Sequence, residues 1–212
     1  MLFRSQRRIV VSTSGVVPGI DRLAKVRPQV TLAVSLHAAR NALRDLLVPL
    51  NRKWPVEEVV RAAANHARVT GRRTTFEVTM IDGINDRQED ATALVALLRG
   101  SQAHVNLIPM NQVAHTPWRE SEPARIDEIA RQLRASGLSV TVRKNRGREA
   151  GAACGQLAAD RAGAPPPAAV ARRRELLVVA SAAALQGRRS STPIAPSGPL
   201  TADPSAEAGD RR

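Results

Sequence analysis

The chain has one cysteine, no tyrosine, two phenylalanines and two tryptophans among its 212 residues. A lone thiol excludes an intrachain disulfide and fits a reducing compartment. It also leaves no ligand set for a metal held by this sequence alone, because His37, His66, His104 and His115 are scattered without zinc-like spacing. With aromatics at 2% and hydrophobic residues at 43%, the core must be built from Val, Leu, Ile and Ala. Acids are scarce as well: 19 against 32 basic residues, a formal net charge of +13. That excess favours a polyanionic partner, RNA or DNA first, although an arginine-rich genome produces the same bias. Long apolar runs are missing. The longest, Leu176 to Leu185, is too short to span a bilayer. Met1 to Arg8 leads into a strand-like segment with no apolar signal region, so the expected setting is cytoplasmic, without a membrane partner. No P-loop, no Rossmann glycine fingerprint and no nucleophile-elbow motif occurs.

What is present is alternation. β-branched apolar stretches fall at Arg8–Ser12, Val30–Ser35, Thr74–Ile81, Val105–Ile108 and Leu138–Val142. Between them run helical stripes: Val56, Val59, Val60 and Ala63 after Pro55; Leu94, Val95, Leu97 and Leu98 after an Asp86–Glu89 start; and Ile126, Ile129, Ala130 and Leu133, ending at Gly137. Strand–helix–strand repetition predicts an α/β fold with parallel strands, as a sheet or barrel. A closed eight-stranded barrel needs roughly 250 residues. Residues 1–163 therefore predict a partial barrel, and residues 164–212, with half of the 14 prolines, a disordered tail holding at most a short helix at Leu176 to Gln186.

In parallel α/β folds ligands sit at the carboxyl ends of the strands. Those ends carry Ser12-Thr13-Ser14-Gly15, Ser35-Leu36-His37, Asp82 to Asp86 and Pro109-Met110-Asn111. Each residue alone has an ordinary explanation as a turn or helix-entry residue; their recurrence on one face predicts a site. Cys154 lies in a glycine-bearing loop after the last strand, with Arg143, Lys144, Arg146 and Arg148 nearby. A basic, flexible setting favours a thiolate, against the alternative of a small buried hydrophobe. The same four basic residues are candidate phosphate contacts for RNA.

Five segments, VVSTSGVVPGIDRLA, LAVSLHAARNALRDLLVPLNRKWP, TFEVTMIDGINDRQEDA, HVNLIPMNQV and VTVRKNRGREAGAACGQLA, follow the order and spacing of the RlmN family. The resemblance covers residues 5 to 161. It implies the carboxyl-terminal part of a partial radical-SAM (β/α) barrel and SAM-dependent methylation of adenosine C2 in 23S rRNA and tRNA. The related Cfr enzymes, which methylate C8, share this architecture. By the resemblance, Ser12, Ser35, Leu36, His37 and Asn111 contact SAM, and Cys154 is the S-methylcysteine intermediate. One SAM methylates the thiol; a second yields a 5′-deoxyadenosyl radical that takes a hydrogen from the S-methyl group, and the resulting methylene carbon joins the adenine ring. The family also implies a 4Fe-4S cluster held by C-x-x-x-C-x-x-C and a flavodoxin-type reductant. That motif, the first barrel strands, the amino-terminal accessory domain and the resolving cysteine have no counterpart in these 212 residues. The expectation is a monomer that is inactive by itself, the alternative being a non-catalytic RNA-binding remnant.

Overall fold

A computed structural model describes residues 8–26, 29–111 and 118–143. The sequence-predicted tail at 164–212, Lys144, Arg146, Arg148 and Cys154 lie outside the described residues. Five strands form one sheet: β1 (Val10–Thr13), β2 (Thr31–Ser35), β3 (Thr75–Met80), β4 (His104–Pro109) and β5 (Ser139–Val142). All neighbours are parallel, and the strand order is β1-β2-β3-β4-β5. The helices are α1 (Val17–Val26), α2 (Asn41–Leu47), α3 (Val56–Thr70), α4 (Gln88–Leu98) and α5 (Pro123–Ala135), with a 3-10 turn at Pro49–Arg52 before α3. Sequential order with right-handed crossovers puts the crossover helices α1, α3, α4 and α5 on the same side of the sheet, where they share one core, the arrangement of an open barrel segment.

Alternation along the strands agrees. Leu32, Val34, Phe76, Val78, Met80, Val105, Leu107 and Val140 point one way and form a single buried cluster with Ile20, Val56, Val59, Leu94, Leu98, Ile126, Ile129 and Leu133 of the helices. The opposite face is polar. In register across it run Ser12, Ala33, Thr75, His104 and Ser139, then Ser35, Glu77, Asn106 and Thr141. Parallel sheets normally bury both faces under apolar side chains; among the described residues this second face is hydrophilic.

Every strand read from the sequence is present within two residues of its predicted bounds. Two helices carried no sequence signal. α1 begins at Val17 with Pro18 in its first turn, where a missing N–H costs nothing, and α2 is too short to show a stripe. The start of α4 differs from the Asp86–Glu89 reading. Arg87 precedes the helix, and its backbone N–H donates to Asp90 Oδ2 at 3.3 Å, while Asp86 Oδ1 accepts the Gly83 N–H at 2.9 Å. Asp86 is thus spent on the turn, and the cap moves one residue on. α5 ends as expected, with Gly137 at φ 88°.

Candidate SAM-binding rim at the strand ends

β2 ends at Ser35, and the chain turns at once through Leu36 and His37. Leu36 is fully buried, so its side chain belongs to the core and not to any ligand surface. The Leu36 and His37 N–H groups both donate to the Glu77 carbonyl, at 2.9 and 3.2 Å, which splices the turn onto β3. His37 sits at φ 59°, the only non-glycine residue with positive φ among the described residues. Its Nδ1 accepts the Thr79 N–H at 3.2 Å. Burial, and secondarily the Arg44 guanidinium, lowers its pKa to about 4. The ring is therefore neutral at pH 7, and with Nδ1 accepting, its proton is on Nε2. That N–H is a donor available to a carboxylate or a hydroxyl.

On the other side of β3, the Met110 N–H donates to the Met80 carbonyl at 3.3 Å. Asn111 therefore stands just past the end of β3, opposite His37. Its Oδ1 is buried with no hydrogen-bond partner among the described residues. An orphaned amide oxygen at a strand-end rim is an acceptor awaiting a donor from a ligand. Ser35 is half-buried on the polar face beside Glu77, and Ser12 is exposed one row deeper, paired with Ala33. Ser35, His37 and Asn111 thus share one rim, with Ser12 one row deeper on the same face, while Leu36 contributes only its place in the turn. Arg143 is exposed at the end of β5, where its N–H extends the ladder to the Leu107 carbonyl at 2.8 Å.

Sequence reasoning missed three groups. Glu77, Asn106 and Thr141 line the polar face because strand alternation places them there, a signal legible once the strand registers are known. His104 joins them through Ser139 Oγ at 3.0 Å and Thr141 Oγ1 at 2.8 Å. Arg44 is the third, buried and bound to the backbone of the rim itself; Asn85, already within the strand-end run Asp82 to Asp86 read from the sequence, is buried and does the same.

SAM presents a ribose diol, an ammonium, a carboxylate and an adenine edge, and the rim's hydroxyls, Nε2 donor and orphaned amide acceptor suit those groups. An iron–sulfur cluster is another matter. The sequence has one cysteine, and no group of three potential metal ligands occurs among the described residues. The donor set does not fit a 4Fe-4S cluster. No described helix is long and apolar enough to cross a membrane.

No family model matches the chain. It is 55% identical over 156 residues to a probable dual-specificity RNA methyltransferase RlmN of Parafrankia sp. (strain EAN1pec), covering 74% of this chain and 40% of that protein. A relative of the same name from Moorella thermoacetica is 50% identical over 153 residues, 72% of this chain and 43% of its own length. The crystal structure of a radical SAM methyltransferase from Sphaerobacter thermophilus superposes with a TM-score of 0.70 at 51% identity, covering 72% of this chain and 45% of that one. A domain of a pyruvate-formate lyase-activating enzyme from Bacteroides vulgatus shares the fold alone, with a TM-score of 0.50 at 13% identity over 64% of this chain and 80% of that one. The chain spans less than half the length of the RlmN relatives it matches.

Proposed function

On the premise that the chain belongs, over its matched residues, to the RlmN family of radical-SAM RNA methyltransferases, we propose that it supplies the SAM-binding rim and the methyl-carrying cysteine of an enzyme acting on adenosine C2 in 23S rRNA and tRNA. The observation that supports this most is the orphaned Asn111 Oδ1 on the same rim as the Nε2 donor of His37. SAM, when bound, is the source of the methyl group and of the radical. This chain's residues would hold it: Asn111 accepting from it, His37 donating to it, and Ser12 and Ser35 meeting its polar edge. Cys154, as a thiolate once its proton has passed to solvent, would receive the methyl group that bound SAM supplies and would carry it as an S-methylcysteine. Arg143, Lys144, Arg146 and Arg148 would meet RNA phosphates, consistent with the net charge of +13.

The radical step requires a cluster that these residues do not build, and a low-potential reductant such as a flavodoxin-type protein. The 212-residue chain, treated anaerobically with iron, sulfide, reductant and SAM, is expected to release no 5′-deoxyadenosine. Co-expressed with a cluster-bearing amino-terminal segment of the Parafrankia relative, in cells deprived of their own methyltransferase, it is expected to restore 2-methyladenosine in ribosomal RNA. Appearance of 8-methyladenosine instead would assign it to the Cfr-type reaction. A folded pair that binds RNA yet leaves it unmethylated would favour the non-catalytic reading.

A further inference from the structure

Arg44 is fully buried on α2, and no carboxylate lies within ion-pairing distance of it among the described residues. Its donors go elsewhere. Nε donates to the Leu36 carbonyl at 3.0 Å, and Nη2 to the Ser14 carbonyl at 2.7 Å and the Ser35 carbonyl at 3.4 Å. Nη1 donates to Asn51 Oδ1 at 2.9 Å, and Asn51 Nδ2 donates in turn to Asp45 Oδ1 at 2.7 Å, so the charge is balanced through an amide relay. Burying a guanidinium is costly, and an apolar side chain of similar volume would serve packing better. What the arginine adds is a planar fork that ties the carbonyls at the ends of β1 and β2 together.

The approach is close. Gly15, at φ 113°, follows Ser14, and a Cβ there would meet Val59 Cγ2 at 2.8 Å and Arg44 Nη2 at 3.3 Å. Glycine is the residue that lets the β1 loop come down onto the guanidinium.

Asn85 does the same from the β3 side. It is buried, its Oδ1 accepts the Ile81 N–H at 2.8 Å, and its Nδ2 donates to the His37 carbonyl at 2.8 Å and the Thr79 carbonyl at 2.7 Å. His37 is thus held at its carbonyl by Asn85, at its N–H by Glu77 and at its ring by Thr79. A left-handed conformation in a non-glycine residue persists only where its surroundings over-determine it. We propose that Arg44 and Asn85 form a two-sided brace, positioning residues that hold the Ser35–His37 turn against β1 and β3 in the arrangement SAM requires. Neither side chain touches the ligand. The inference rests on the SAM reading of the rim and adds to it the residues that set its geometry.

The test uses the full chain with Arg44→Lys, which keeps charge but loses the fork, and Asn85→Asp, which keeps shape and the acceptor but loses both donors. Amide hydrogen exchange is followed at Leu36 and His37, with Ile129 and Leu133 of α5 as the internal reference, and SAM affinity is measured by titration calorimetry. Each substitution is expected to speed exchange at Leu36 and His37 tenfold or more with α5 unchanged, and to weaken SAM binding at least tenfold. Unchanged exchange at the turn overturns the brace. Faster exchange with undiminished SAM affinity overturns the positioning role. A folded wild-type chain that binds no SAM overturns the SAM reading of the rim and the positioning role with it, a result distinct from variants that bind as well as wild type.

Discussion

Burial and the nearby guanidinium leave His37 with a pKa of about 4 against 6.5 when unfolded. Between those values the unfolded chain binds a proton that the folded chain refuses. Stability contributed by the neutral ring is therefore complete above pH 6.5 and declines as pH falls toward 4, by roughly 3 kcal/mol in all. His37→Asn removes the titration while tolerating the left-handed backbone. Denaturant unfolding at pH 7 and pH 4.5 should show wild type losing about 2–3 kcal/mol more than the variant. Equal losses would contradict a buried neutral imidazole. The sequence showed His37 as one polar residue at a strand end, with a helix-start role equally open. Its positive φ, its tautomer and its Arg44 neighbour depend on contacts up to 48 positions away. The same holds for Arg44, since nothing local distinguishes a buried arginine from a solvated one. Leu36 shows the converse, a residue in a recognisable segment whose side chain serves the core.

At the level of elements, the strands were legible because period-two alternation and β-branched residues mark them directly. Their order was legible because a βα repeat admits few topologies. α1 was hidden by Val16-Val17-Pro18-Gly19, which reads as a turn until the helix beyond it packs on α3. The polar face was hidden too, because Glu77, Asn106 and Thr141 look like the solvent side of ordinary strands. Among the described residues β1 pairs only with β2, and Ile9, Val10 and Val16 on or next to it in the chain are exposed at 43%, 60% and 40%. An open edge flanked by apolar side chains is a template for association. Val10→Lys on that edge is expected to lower concentration-dependent self-association in light scattering, with the unfolding midpoint little changed. Scattering that rises with concentration equally in both proteins would contradict an edge-driven contact.

Across the whole described fold, the rim and the polar sheet face describe a surface facing one way, with the apolar core and its helices behind it. The fold was readable in outline from composition and periodicity, and the function only through the five matched segments. Strand-end serines, a histidine and an asparagine do not by themselves specify SAM. The structure adds the orphaned amide of Asn111, the neutral donor of His37 and the two side chains that brace the turn between them. The central claim is that methyl transfer passes through Cys154. Its most direct test is mass spectrometry of the Cys154 peptide and of ribosomal RNA nucleosides, from cells co-expressing this chain with the cluster-bearing segment. The account predicts a methylated sulfur on Cys154 and 2-methyladenosine that vanishes with Cys154→Ser; 2-methyladenosine that persists in the Cys154→Ser chain would contradict it.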